Sequence, residues 1–141
     1  ASGARDLSVR NAATEIIRAA GVRANDHRGE MQALYVWVRD NVRYVRDPIN
    51  TELLQTPART LKNKTGDCDD KTTLLAALLA SIGHPSTLKF RVIGTEKQNH
   101  YSHVYLVARL NKKDVALDPT PSGMAMGWEY PKPRMKGDFA L

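Results

Sequence analysis

The chain has 141 residues, 42% hydrophobic and 26% charged, which fits one globular domain with a single core and excludes a disordered tail, a collagen or a membrane bundle. Lysine and arginine number 21 against 15 acids, a net charge of +6. The basic residues are scattered from Arg5 to Lys136, without the run or aromatic-interleaved stripe of a nucleic-acid surface, so no nucleic-acid partner is expected.

In chain order, Leu7, Ala12, Ala13, Ile16, Ile17 and Ala20 form an apolar stripe that Gly21 ends, predicting a first helix from Asp6 to Ala20. A second starts near Asp26 and carries Met31, Leu34, Tyr35, Val38 and Val42 towards the Asp47-Pro48 breaker. Thr56 and Pro57 cap a short helix to about Asn63. From Asp67 an apolar helix follows, with Leu74, Leu75, Leu78, Leu79 and Ile82, ended by Gly83 and Pro85. Its apolar residues lie on nearly all sides, so it runs through the core.

The period then changes. Thr87 to Ile93, Val104 to Leu110 and Val115 to Leu117 are rich in β-branched and apolar residues. Helices before strands predict an α+β fold with an antiparallel sheet. Residues 122–141 hold prolines and little periodicity, and are expected as an irregular tail behind a domain of residues 1–121; Trp128, Tyr130 and the tail methionines are expected to pack on the body.

No apolar run is long enough to span a bilayer and no signal-peptide core opens the chain. One cysteine, Cys68, rules out a disulfide within the chain and favours a reducing compartment. A soluble protein is expected, with the cytoplasm favoured and no membrane partner.

Cys68 stands at the start of the core helix, in Gly66-Asp67-Cys68-Asp69-Asp70-Lys71. The first turn of a helix favours an anion through its unpaired N–H groups, and the thiolate is the nucleophilic form of cysteine. Gly66 suggests close approach of a substrate to the backbone. The plainer alternative is a small buried thiol with Asp67, Asp69 and Asp70 as helix caps.

A base is then needed. His27 and His84 read as structural residues at helix ends; His100 and His103 lie three apart and point to opposite faces of a strand. With one cysteine, no metal site is expected. His103, Tyr105, Val107 and Arg109 share a face, and a two-residue Asn111-Lys112 turn pairs Arg109 with Asp114. Continuing that register sets Asp118 opposite Tyr105, on the face of His103 and one diagonal step away, whereas a one-residue bulge would reverse it. Cys68, His103 and Asp118 then form a thiol, imidazole and carboxylate set.

Three segments carry a family resemblance: TPARTLKNKTGDCDDKTTLLAALLASIGHP (56–85), SHVYLVARL (102–110) and VALDPT (115–120). A Gly-x-Cys opening a core helix, a His beginning a strand and an Asp-Pro after a later strand resemble the transglutaminase-like superfamily of papain-type cysteine enzymes, with small microbial and phage-type members nearest. The resemblance implies a papain-like α+β fold, with the nucleophile helix packed on an antiparallel sheet. It implies Cys68, His103 and Asp118 as a catalytic triad and Tyr44, then Gln55, as oxyanion donors. The activity it implies is acyl transfer from an amide of a protein or peptide substrate through a thioester, as peptidase, amidase or transamidase, without a cofactor. The alternative is a module that keeps the fold without turnover.

Overall fold

The computed structural model describes residues 6–45, 55–94, 102–133 and 135–141. Helix α1 (Leu7–Ala19) starts where the Asp6 carboxylate accepts from the Ser8 N–H, and α2 (His27–Asn41) where Asp26 accepts from Gly29. Strand β1 (Arg43–Tyr44) follows directly. Helix α3 (Pro57–Asn63) has Thr56 as its cap and ends on Lys64 in a left-handed conformation. Strand β2 (Thr65–Gly66) then pairs in parallel with β1 and leads into α4 (Cys68–Ser81). This two-residue parallel pair has no counterpart in the sequence pattern.

The second half is sheet. Strands β3 (Thr87–Gly94), β4 (His103–Leu110), β5 (Lys113–Leu117) and β6 (Met135–Ala140) form an antiparallel sheet in the order β5-β4-β3-β6. The turn between β4 and β5 is the expected two-residue one. Asn111 and Lys112 both have positive φ, 53° and 64°, the turn geometry that matches strand twist. Arg109 pairs with Asp114 and Leu110 with Lys113, so the ladder continues without a bulge.

Helix α4 is the spine. Leu74, Leu75, Leu78 and Leu79 are completely buried, flanked by Met31, Leu34 and Val38 of α2, Val9 and Ala13 of α1, and Leu106, Ala108, Val115 and Leu117 of the sheet. Each such leucine contributes about 1.5–3 kcal/mol by leaving water. The opposite sheet face carries a smaller cluster of Ile93, Tyr105, Val107 and Ala116, with Tyr130 packed against it.

The C-terminal segment departs from expectation. Residues 135–140 are not irregular: they form β6, an edge strand on β3, in which Arg91 lies opposite Asp138. The guanidinium Nε is 2.7 Å from Asp138 Oδ1 and its NH1 3.4 Å from Glu129 Oε2. Lys89 Nζ lies 3.0 Å from the same carboxylate, so cations of β3 add to the backbone ladder where β6 has no apolar pattern. Such charge pairing across distant segments leaves no periodic trace. No helix among the described residues is long and apolar enough to cross a membrane.

Candidate active site

Cys68 is the first residue of α4 and half-buried. A reciprocal cap fixes it: the Asp67 carboxylate accepts from the Asp70 N–H at 2.9 Å, and the Asp70 carboxylate accepts from the Asp67 N–H at 3.2 Å. Asp70 is 1% exposed and also accepts from the Gln55 N–H at 2.9 Å and the Gln55 side-chain amide at 3.2 Å. A Cβ on Gly66 would lie 2.6 Å from the Asp70 Cβ. Gly66, the last residue of β2, therefore makes room for the Asp70 side chain that caps α4. The same segment is pinned from the other side, since Val45 N donates to the Gly66 carbonyl at 2.9 Å.

His103 opens β4 and Asp118 follows β5, as the register requires. His103 Nε2 lies 2.7 Å from Asp118 Oδ2. The second carboxylate oxygen accepts from the Thr120 N–H at 3.2 Å, and the Tyr35 hydroxyl donates to the Asp118 carbonyl at 3.1 Å. With Nε2 engaged by the carboxylate, Nδ1 is the ring nitrogen left for Cys68. Burial alone would lower the imidazole pKa, but the Asp118 carboxylate and negative charge on the Cys68 sulfur favour the imidazolium, outweigh burial and push His103 up to about 9. The structure thus brings Cys68, His103 and Asp118 together.

Aromatic rings from β4 itself and from the C-terminal segment flank the imidazole. Tyr105 stacks on it at 5.8 Å and Tyr130 meets it edge-on at 5.1 Å, while Trp128 supports Tyr130 at 4.9 Å. A cleft of about 590 Å³ opens beside His103, lined also by Tyr44, Thr120, Tyr130, Lys132 and Pro133. The Thr120 hydroxyl is buried here without a hydrogen-bond partner among the described residues. The tail residues 130–133 therefore form one wall of the cleft as well as packing on the body. Composition was their only signal: a Trp-Glu-Tyr-Pro run in an otherwise unpatterned segment.

The two oxyanion candidates are placed differently. Tyr44 is 46% exposed and lines the cleft. Gln55 belongs to the scaffold before the nucleophile: its amide nitrogen donates to the Thr65 carbonyl at 2.9 Å, and its oxygen accepts from Asn63 at 3.2 Å.

Two further groups were not legible as such. Lys71, one turn beyond Cys68, is 2% exposed. Away from the cleft, His27, Glu30 and His84 gather three potential metal-ligand atoms. His84 has both nitrogens engaged, Nε2 at 2.7 Å from the His27 carbonyl and Nδ1 at 2.8 Å from the Ser86 hydroxyl. His27 Nδ1 lies 2.8 Å from Glu30. These bonds tie the start of α2 to the corner after α4.

Solved structures share this architecture. A candidate cysteine protease from Cytophaga hutchinsonii superposes with TM-score 0.60 at 14% identity, covering 94% of this chain and 51% of that one. A candidate protease from Parabacteroides distasonis gives 0.58 at 14% identity, with 79% and 23% covered. Calcium-bound LapG from Legionella pneumophila gives 0.59 at 16% identity, with 92% and 76% covered. The chain thus spans about half of the first protein and about a quarter of the second, and these likenesses establish the shared fold. No curated protein matches the sequence. The sequence profile of the transglutaminase-like superfamily matches residues 11–119, most of the chain and all three residues of the Cys68, His103 and Asp118 cluster, and the protein belongs to that superfamily.

Proposed function

We propose that this domain is a cysteine-dependent amide hydrolase acting on protein or peptide substrates. The observation that carries the reading is the 2.7 Å His103 to Asp118 contact, on an imidazole whose pKa the Cys68 sulfur at the start of α4 helps to raise. The likeness to candidate cysteine proteases supports it.

In this reading His103 is already an imidazolium near neutral pH, and the Cys68 sulfur, having given its proton to Nδ1 before the substrate arrives, attacks the carbonyl carbon of an amide. The oxyanion forms at the N-terminus of α4, where helix N–H groups point outward, with the Tyr44 hydroxyl as a second donor. Asp118, held through Nε2, fixes the tautomer and stabilises the imidazolium. His103 then passes its proton to the leaving nitrogen as the C–N bond breaks, leaving a thioester on Cys68. A water molecule, giving its proton to His103, attacks the thioester carbon; the carboxylic acid departs and the thiolate is restored. Hydrolysis is favoured over transamidation because water needs no second binding site.

The test is digestion of a proteome-derived peptide library by the wild type and by Cys68→Ala, with new termini read by mass spectrometry, in the presence and absence of a biotinylated primary amine. New termini that depend on Cys68 and carry no amine are expected. Amine incorporation in their place would assign the chain to cross-linking chemistry. Identical products from wild type and Cys68→Ala would favour the module without turnover.

A further inference from the structure

Two segments 57 residues apart bring imidazole, carboxylate and carbonyl groups together at a place that shares no residue with the cleft. His27 and Glu30 stand three apart in the first turn of α2, on one face of the helix. The Asp26 carboxylate caps that turn by accepting from the Gly29 N–H at 2.9 Å, so both side chains project from a fixed backbone. His84 follows Gly83, whose φ of 64° turns the chain after α4, and its own N–H donates to the Leu79 carbonyl at 3.1 Å. The His84 imidazole is 1% exposed. From Glu30 Oε1, His27 Nδ1 lies 2.8 Å and His84 Nε2 4.0 Å away, and the three donor atoms all lie within 4.8 Å of one another. The His27 carbonyl oxygen stands 2.7 Å from His84 Nε2, so a second oxygen borders the same space.

We propose that His27, Glu30 and His84 bind a divalent cation of the zinc class, which clips the start of α2 to the corner after α4. Two imidazoles and a carboxylate suit zinc, whereas calcium and magnesium take oxygen ligands. The cysteine count that argued against a metal site carries no weight here, because these donors are nitrogen and oxygen. Tetrahedral zinc with bonds of about 2.0–2.1 Å sets its donors roughly 3.4 Å apart. The observed 2.8 and 4.0 Å bracket that spacing, so small side-chain rotations close the set. The cation takes the place of hydrogen atoms, since a neutral imidazole carries its one proton on either nitrogen. With the proton on Nε2, His84 donates to the His27 carbonyl, and Nδ1 accepts from the Ser86 N–H at 3.3 Å. With the proton on Nδ1, the Ser86 hydroxyl at 2.8 Å accepts it and the Nε2 lone pair is presented to the metal. Such an outer partner is what orients a ligating histidine. His27 is half-buried, so water from its open side completes the coordination.

The experiment titrates Zn²⁺ alone into the metal-stripped protein, followed by calorimetry and by thermal melting. It is run in the wild type and in Cys68→Ala, where the active-site thiol offers no competing ligand. One equivalent is expected to bind to Cys68→Ala. Its melting midpoint should rise by roughly 5–10 °C at a hundredfold excess of metal over the dissociation constant, and Mg²⁺ at the same concentration should leave it in place. His27→Ala and Glu30→Gln, added to Cys68→Ala, each remove a ligand at a partly exposed position and keep the buried His84. Each should weaken binding by about tenfold at the least, the scale on which loss of an outer partner alone is felt. His84→Ala risks the fold through its buried ring, so the two partly exposed variants decide. No binding by Cys68→Ala, or binding unchanged in either His27→Ala or Glu30→Gln, overturns the site. Zn²⁺ taken up by the wild type but not by Cys68→Ala assigns the ion to the active-site thiol and overturns it equally.

Discussion

His103 carries a consequence for stability as well as for chemistry. Its pKa stands at about 9 against an ordinary 6.5: burial lowers it, but Asp118 and the Cys68 sulfur prevail. A raised folded-state pKa contributes stability that is fully present below pH 6.5 and lost as pH rises through about 9; after screening this is on the order of 2 kcal/mol. Lys71 has the opposite sign. Burial lowers it to about 8 from 10.5, so its penalty is complete below pH 8 and relieved towards 10.5. Urea unfolding should therefore show stability falling from pH 6.5 to 8 and levelling between 8 and 9; His103→Ala should remove the fall. A wild-type stability flat across pH 6.5–8 would contradict this. That His103 and Asp118 meet was legible from one feature, a two-residue turn whose register puts Arg109 against Asp114. The burial of Lys71 was not, because on a helix apolar nearly all round a lysine reads as its one wet position.

The start of α4 illustrates how an element is set by its neighbours. Its cap residues Asp67 and Asp70 were legible, but the task of Gly66 was not, since its constraint comes from the Asp70 side chain four residues ahead. Gly66→Ala would force a Cβ to within 2.6 Å of the Asp70 Cβ and is expected to cost about 1–3 kcal/mol. It should also slow Cys68 alkylation, because the same cap orients the thiol; thermal melting and labelling rate measured together test this. A variant with wild-type stability and labelling would show that the cap does not set the nucleophile. The helices and β3 to β5 were legible because period and breakers agreed. Strand β6 was not: its Lys136-Gly137-Asp138 stretch lacks strand character, and it sits on β3 through the backbone ladder with Asp138 paired to both Arg91 and Lys89.

At the scale of the whole molecule, spacing along the chain does not show that the start of a core helix meets the end of a sheet. Packing does: α4 lies on β4, where the Thr72 hydroxyl donates to the Val104 carbonyl at 3.4 Å, and Tyr35 ties α2 to the Asp118 and Met124 carbonyls at 3.1 and 2.8 Å. Those long-range contacts set the thiol against the imidazole and draw the tail over to wall the cleft. The family motifs anticipated that meeting because they carry the memory of the packed fold, which the local pattern alone does not. The most direct test is the pH dependence of iodoacetamide alkylation at Cys68 in the wild type and in His103→Ala. Fast labelling near neutral pH, with an alkaline limb close to pH 9 as His103 discharges, and a marked slowing in the variant are expected. Slow labelling with the profile of an ordinary thiol, unchanged in His103→Ala, would contradict the account.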